Sequence, residues 1–281
     1  MPEMEHCIVY CSPAGSTRKV SKAIEARLRG SGQSVTLFDL ARNAPRQVYD
    51  FFSGSSGPHC LWLGTPVYAQ HPVPPVLQFL ESLPEANGER AAVPFVTWGA
   101  VSSGVALLEM ADTLLTKGYS LAGAAKVVAE HSSMWRSENP LGEGRPGEGD
   151  LTEVRRLADS VLQKLDSGQW QPIPHRKLDY QPEWLKERAA AMNIERLKEF
   201  HPGYTLDESR CTQCGICEQE CPAGAIRLDP YPIRDESCFL CNNCARFCPE
   251  EAMHIDTAPI EKHVREMAQQ IPEAKETEIF L

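Results

Sequence analysis

No stretch of this 281-residue chain approaches the ~18–20 consecutive apolar residues that a helix needs to cross a bilayer. The opening residues, MPEMEHCIVYCSP, offer no basic flank, apolar run and small-residue cleavage site in succession, so the default compartment is the cytoplasm. Runs of Lys and Arg are missing as well, and the formal net charge is −10. A phosphate backbone has no track to follow, which sets nucleic acid aside as a partner. A disulfide framework is excluded by an odd count of eleven cysteines in a reducing compartment, and metal is the better use for most of them. The apolar share of 42% suffices for a packed core.

The first ~168 residues alternate two periodicities. Short apolar runs at Cys7–Cys11, Ser34–Phe38, Cys60–Gly64, Val93–Trp98 and Ala124–Val128 read as strands. Between them lie helical patterns: Val20, Ile24 and Leu28 ending at Gly30, then 104–117. Asp150–Glu153 resembles a capping box ahead of Val154, Ala158, Val161 and Leu165. Continuously apolar strands that alternate with helices predict an α/β fold, a doubly wound five-stranded parallel sheet with its ligand crevice beyond the carboxyl ends of the strands.

After Gly168 the composition changes. Pro172, Pro174 and Pro182 mark residues 169–204 as a linker, with one helix expected over Glu183–Phe200. A cysteine-rich region occupies 205–258, and 259–281 reads as a C-terminal helix and tail, with Ile260, Val264, Met267 and Ile271 at helical spacing.

The cysteine-rich region repeats itself without a gap. CTQCGICEQECPAGAI from Cys211 and CFLCNNCARFCPEEAM from Cys238 both read C-x-x-C-x-x-C-x-x-x-C-P-x-x-A and an apolar residue, Ile226 or Met253. Zinc takes four ligands, usually two separated C-x-x-C pairs. Three closely spaced cysteines and a fourth before proline suit a cubane instead. The segment resembles a bacterial-type two-[4Fe–4S] ferredoxin, a small α+β domain. That resemblance implies that Cys211, Cys214, Cys217 and Cys248 hold one cluster, and Cys238, Cys241, Cys244 and Cys221 the other. Pro222 and Pro249 fix the chain direction at the crossing cysteines. An acidic surface around them has two readings, steering toward a basic partner or ordinary solubility.

Three loops sit where the crevice of the first sheet belongs. The first strand runs into CSPAGSTRKV, a turn whose free N–H groups at a helix start would stabilise a phosphate. It is not G-x-G-x-x-G, and no Walker lysine follows. The later loops are GTPVYAQHPVPP and TWGAVSSGVALL, each with an aromatic residue, Tyr68 and Trp98, at the end of a strand. Those rings could face a planar ligand or cap the core. Residues ~5–168 are similar to a flavodoxin-type domain, and the whole chain resembles the flavodoxin–ferredoxin fusion proteins of anaerobes. The resemblance implies FMN, its phosphate cradled by Ser12, Ala14, Gly15, Ser16 and Thr17. It also places Thr65, Pro66, Val67 and Tyr68, and Trp98, Gly99, Ala100, Val101 and Gly104, beside the ring system. Ala14 stands where that family often carries a hydroxyl residue, a loss of about 1–2 kcal/mol.

The other features have plain readings. Cys7 and Cys60 are small buried hydrophobes; Cys11 either packs in the core or has its pKa lowered by the helix end. His71, His131 and His254 show no partner in the sequence. The glycine-rich segment 137–149 reads as either a lid over the crevice or a surface loop. The expected function is electron transfer between the clusters and FMN, coupling a low-potential one-electron carrier to a redox partner protein or a two-electron reaction. The alternatives are a flavin-dependent reductase of a small organic substrate and a docking module that has lost flavin. A homodimer is compatible with each.

Overall fold

A computed structural model of the chain describes residues 4–42, 45–53, 60–86 and 90–281. The chain order is β1 (Glu5–Tyr10), α1 (Ser16–Gly30), β2 (Ser34–Asp39), α2 (Pro45–Ser53), β3 (Cys60–Tyr68), β4 (His71–Pro72), α3 (Pro74–Ser82), β5 (Ala91–Trp98), α4 (Ala106–Thr116), β6 (Ser120–Leu121), β7 (Ala124–Val128) and α5 (Glu148–Asp166). After these come α6 (Glu183–Ala190), α7 (Ile194–Phe200), β8 (Thr205–Leu206), α8 (Ile216–Gln219), β9 (Ile226–Leu228), β10 (Pro232–Arg234), α9 (Asn243–Arg246), β11 (Met253–His254), α10 (Ala258–Gln270) and β12 (Glu278–Phe280).

The five expected strands pair in parallel in the order β2-β1-β3-β5-β7. Counted as long strands, that order is 2-1-3-4-5, the flavodoxin-like winding, whose switch point lies between β1 and β3. The central strand β5, AAVPFVTW, is buried at every position, because helices cover both of its faces. On one face α1 and α5 bring Val20, Ile24, Leu28, Val154, Ala158 and Val161 together. On the other, α3 and α4 contribute Val76, Leu80, Leu107, Met110 and Leu114. Beyond the five expected strands, the two-residue β4 and β6 pair with β3 and β5, and one more strand closes the edge. The end of the chain returns as β12 and pairs antiparallel with β7 at the sheet edge, Ile279 opposite Ala125.

Two helix boundaries differ from the sequence reading. The expected single helix over Glu183–Phe200 is two, α6 and α7, because the Asn193 side chain accepts a hydrogen bond from Arg196 N (2.8 Å) and caps a new start. Asp150 is not an N-cap. α5 begins earlier, at Glu148, and the Asp150 carboxylate turns back to accept from Gly147 N at 2.7 Å and to pair with Arg145.

The cysteine-rich region is pseudo-symmetric. Two antiparallel ribbons, β8–β11 and β9–β10, flank the equivalent short helices α8 and α9. Ile226 and Met253, the apolar residues that close each repeat, are buried together with Cys244, Ala245 and Ile255. The symmetry extends to the backbone. Gln213 and Leu240 have φ of 55° and 62°, and Gly215 and Asn242 have 77° and 64°. Asn242 thus takes a left-handed position that glycine fills in the first repeat, one that asparagine tolerates better than most residues.

Several contacts join this region to the sheet domain. Asn243 Nδ2 donates to Pro13 O (3.1 Å), Arg42 pairs with Glu220 (2.6 Å), and Arg246 donates to Ser132 O. Leu185, Met267 and Ile271 form a small core against Val101, so the linker and α10 also pack onto the third crevice loop.

Candidate functional site

The loop between β1 and α1 turns at Gly15, whose φ of 95° suits glycine, and α1 starts at the next residue. Its first-turn amides have no intrahelical acceptors. One is satisfied internally, since Arg18 N donates to Ser12 Oγ at 2.8 Å. The Thr17 hydroxyl is also engaged, with Thr97 Oγ1 at 2.8 Å, which ties this loop to the end of β5. The second loop reverses through Ala69 and Gln70, with φ of 49° and 78°, and the third through Ala100 with φ of 55°. Left-handed backbone at non-glycine residues is costly and clusters at functional loops. The two loops interlock: a Cβ on Gly104 would stand 2.1 Å from Gln70 O, so only glycine allows this approach.

A cavity of about 530 Å³ opens above these loops. Of the residues expected there, Ser12, Ala14, Ser16, Thr17, Pro66, Val67, Tyr68, Trp98, Gly99 and Val101 line it. Gly15 lines a smaller adjoining recess with Arg18, Arg42, Glu220 and Asn243. Thr65, Ala100 and Gly104 are not in the wall. Thr65 is fully buried, and its hydroxyl accepts from Val73 N (3.1 Å). Ala100 packs against Trp98 and Val128. Trp98 itself is 1% exposed, so its ring is mainly a core cap. Its buried Nε1 nevertheless has no acceptor, and the buried Gln70 Oε1 has no donor. A donor and an acceptor left unpaired in a cavity wall fit a ligand with a hydrogen-bonding edge. The volume, the mostly apolar lining and the free helix-start amides fit a phosphorylated flavin.

The rest of the wall carries no local signal in the sequence. Arg188, Met192, Arg196, Leu197 and Phe200 come from α6 and α7, and Pro259, Ile260, His263, Val264 and Met267 from α10. Leu240 and Asn242 come from the Cys238–Cys244 loop. Beside them Phe239, 1% exposed, meets Tyr68 edge to face with ring centroids 6.0 Å apart. The Tyr68 hydroxyl accepts from Ser132 Oγ (3.0 Å), and burial raises its pKa. His131, also in the wall, is held neutral by burial, with its pKa down to about 4. The segment 137–149 does not line the cavity. His131 N donates to Leu141 O and Glu130 N to Arg145 O, which fasten it beside β7. Of the remaining cysteines, Cys7, Cys11 and Cys60 are completely buried. Burial raises the Cys11 pKa, so core packing prevails there over the helix end.

Cysteines of the two repeats come close together in space. A pocket with a mostly apolar wall contains Cys211, Cys214, Cys217 and, from the second repeat, Cys248. The pKa of Cys241 is raised by burial and by the nearby thiols of Cys221, Cys244 and Cys238; that of Cys244 is pushed up to about 12 by burial and by the thiols of Cys238 and Cys221. Cys221 thus lies near Cys238, Cys241 and Cys244, and it also packs in the small core that includes Cys217 and Cys248. Backbone amides reach three sulfurs: Ala225 N to Cys221 Sγ (3.2 Å), Ala252 N to Cys248 Sγ (3.2 Å) and Leu240 N to Cys238 Sγ (3.5 Å). Such N–H···S bonds stabilise thiolates and help set a cluster's potential. Among the described residues, no three His, Cys, Asp or Glu side chains converge as ligands of one ion would. A cubane asks for a different arrangement, each cysteine holding its own iron.

A family model described as "4Fe-4S binding domain" matches residues 204–227. The chain joins a flavodoxin-like fold to a 4Fe–4S binding domain. A redox or electron-transfer role follows from that pairing. Solved structures similar to it include a flavodoxin from the domain Archaea, 16% identical over 58% of this chain and 99% of that one, with a TM-score of 0.43. Rubredoxin oxygen:oxidoreductase from Desulfovibrio gigas is 18% identical over 58% of this chain and 36% of its own, with a TM-score of 0.46. The Flv1 flavodiiron core from Synechocystis sp. PCC6803 is 15% identical over 59% and 37%, with a TM-score of 0.47. No curated protein matches the sequence. No helix among the described residues is long and apolar enough to cross a membrane.

Proposed function

We propose that this chain is an electron-transfer flavo-iron–sulfur protein. It binds FMN in the crevice and two [4Fe–4S] clusters in the cysteine repeats, and passes single electrons between them. One observation carries the reading: Leu240 and Asn242, inside the Cys238–Cys244 loop, belong to the same cavity wall as Ser12, Ala14, Ser16, Thr17 and Tyr68. The loop that would wrap one cluster thus touches the site that would hold the flavin. FMN supplies one- and two-electron chemistry, so the pair couples a one-electron carrier to a two-electron step.

The chain's residues have distinct parts in this scheme. The first-turn amides of α1 take the phosphate, while Trp98 Nε1 and Gln70 Oε1 meet the ring's polar edge. Tyr68 and Phe239, in edge-to-face contact, would stand between a bound flavin and the Cys238–Cys244 loop and keep water out. Cys214 is exposed whereas Cys241 and Cys244 are buried, which supports electron exchange with a partner protein at the cluster of the first repeat. The test uses protein purified without oxygen. Acid release should yield one FMN with about eight irons and matching sulfide per chain. On rapid mixing with a low-potential donor, the clusters should be reduced before the flavin. Flavin reduced at full rate while the clusters stay oxidised would reject the scheme.

A second reading is favoured by the roof over the cavity. α6, α7 and α10 roof the cavity, and the walled space beneath them suits a small molecule. In that case the chain is a flavin-dependent reductase with its own electron supply, and saturable turnover of a substrate would establish it.

A further inference from the structure

The polar groups of the cavity roof are of one kind. Arg188 on α6, Arg196 on α7, His201 just after it and His263 on α10 all line the cavity, and Glu130 is the one carboxylate in its wall. The lysines of the same two helices are paired: Lys186 with Asp179 and Glu183, and Lys198 with Glu195. The arginines are not. Arg188 donates to the Met267 thioether (2.7 Å), a weak acceptor, and no carboxylate among the described residues lies within ion-pair distance of Arg188 or Arg196. His201 Nδ1 accepts from Gly203 N (3.2 Å), which assigns the ring proton to Nε2, and that buried nitrogen has no acceptor. The flavin phosphate does not account for these donors, because its loop, Ser12–Thr17, is a separate part of the wall.

Building on the flavin reading above, we infer that the roof side of the cavity is a subsite for a small organic anion, a single carboxylate on an apolar body. Unpaired cations over a low-dielectric crevice raise the local concentration of anions. A guanidinium fork matches the two oxygens of a carboxylate. The walls between the cations, Met192, Leu197, Phe200, Ile260, Val264 and Met267, are apolar. They suit a hydrocarbon body and penalise a doubly charged, strongly hydrated phosphate. Placed there, the ligand lies in the same cavity as the flavin ring and is the molecule that the second functional reading needs.

The experiment titrates the cluster-containing, FMN-loaded protein with cinnamate, with cinnamyl alcohol as the neutral counterpart and with phenyl phosphate. Flavin absorption and calorimetry are the two readouts. Cinnamate should bind saturably and perturb the flavin spectrum. The alcohol should bind at least tenfold more weakly, and Arg188→Gln with Arg196→Gln should raise the cinnamate Kd at least tenfold at unchanged flavin content. Equal binding of acid and alcohol, or an unchanged Kd in the double variant, would overturn the subsite. Tighter binding of phenyl phosphate would overturn the carboxylate assignment. If the protein takes up no flavin yet releases arginine-dependent heat with cinnamate, the flavin reading falls and the anion subsite stands.

Discussion

The Glu273→Gln substitution tests how the C-terminal tail is held. The Glu273 side chain is 8% exposed, as is that of Lys126 beside it. Its carboxylate accepts from Ser103 N (2.9 Å), Ser103 Oγ (2.5 Å), Gln181 Nε2 (3.1 Å) and Lys126 Nζ (3.2 Å). All four partners are donors, so an amide of the same shape turns its NH2 toward two of them. Each lost bond to a charged group costs about 1.5–3 kcal/mol, and Lys126 keeps Glu278, which is 54% exposed, and the face of the Tyr180 ring. A total of about 3 kcal/mol follows, at the low end of what breaking a buried pair costs. For a chain of this size that is a fall in Tm of roughly 6–12 °C.

The assay is thermal unfolding of anaerobic protein at one fixed scan rate, since cluster loss makes unfolding irreversible. Glu276→Gln, exposed on the same tail, is the control and should stay within about 0.5 kcal/mol of the parent. Replacing both partners, Lys126→Met with Glu273→Leu, should recover part of the loss, because neither charge is then stranded. A Glu273→Gln melt within about 2 °C of the parent would refute the reasoning. The tail would then be an ornament on the sheet edge.

Two further outcomes follow from the geometry. Cys221→Ser should remove the cluster of the second repeat and Cys248→Ser that of the first, read as a fall from about eight irons toward four; loss of the same cluster in Cys221→Ser and Cys211→Ser would reject the crossing. His71 bonds Glu109 through Nδ1 (2.9 Å) and the Ala189 and Met192 carbonyls through Nε2 (3.0 and 2.8 Å), a pattern that needs both ring protons. Burial opposes the charge, but these acceptors prevail and the pKa is raised. A raised folded-state pKa contributes stability that is complete below the unfolded value of about 6.5 and is lost as pH climbs through the folded value. Protection of α6 amides against hydrogen exchange should therefore decline from pH 6 toward pH 8, by about 1 kcal/mol. A His71→Gln protein with the same slope would count against it.

Much of the sheet domain was legible because its signals are local. Parallel strands such as β5 must be apolar throughout, and α1 must repeat Val20, Ile24 and Leu28 along one face. The 4Fe–4S binding domain was legible for the same reason, since its cysteine spacing is written in consecutive residues. What escaped depends on distant partners. β12 is three residues, EIF, and becomes a strand only because β7 offers an open edge. In sequence Trp98 could face a ligand or cap the core, and only the packing of Ala100 and Val128 around it decides for a core cap with one free N–H. The break at Asn193 had a local signal, a good capping residue inside a helical pattern, and the apolar spacing masked it. Nothing in the sequence joins Arg188, Leu240 and His263 in one wall.

The tail also bears on how the two redox regions stay in register. A chain tethered only through the proline-bearing segment after Gly168 could carry the cysteine repeats away from the crevice, and electron transfer would then wait for their return. The path here is closed at both ends. Ile173 N donates to Leu121 O (2.8 Å) soon after the chain leaves the sheet domain, and β12 pairs with β7 when it comes back. Between these points Glu273 grips Ser103, and Lys275 donates to Val101 O (3.1 Å), both in the third crevice loop. Fixing both ends of a segment removes far more of its freedom than fixing one. The separation between Tyr68 and Phe239 is thus set by the sheet edge and the crevice loop together. On the proposed reading, damage to the tail should slow electron transfer between cluster and flavin even where both cofactors remain bound, read by rapid mixing of a Glu273→Gln protein with a low-potential donor.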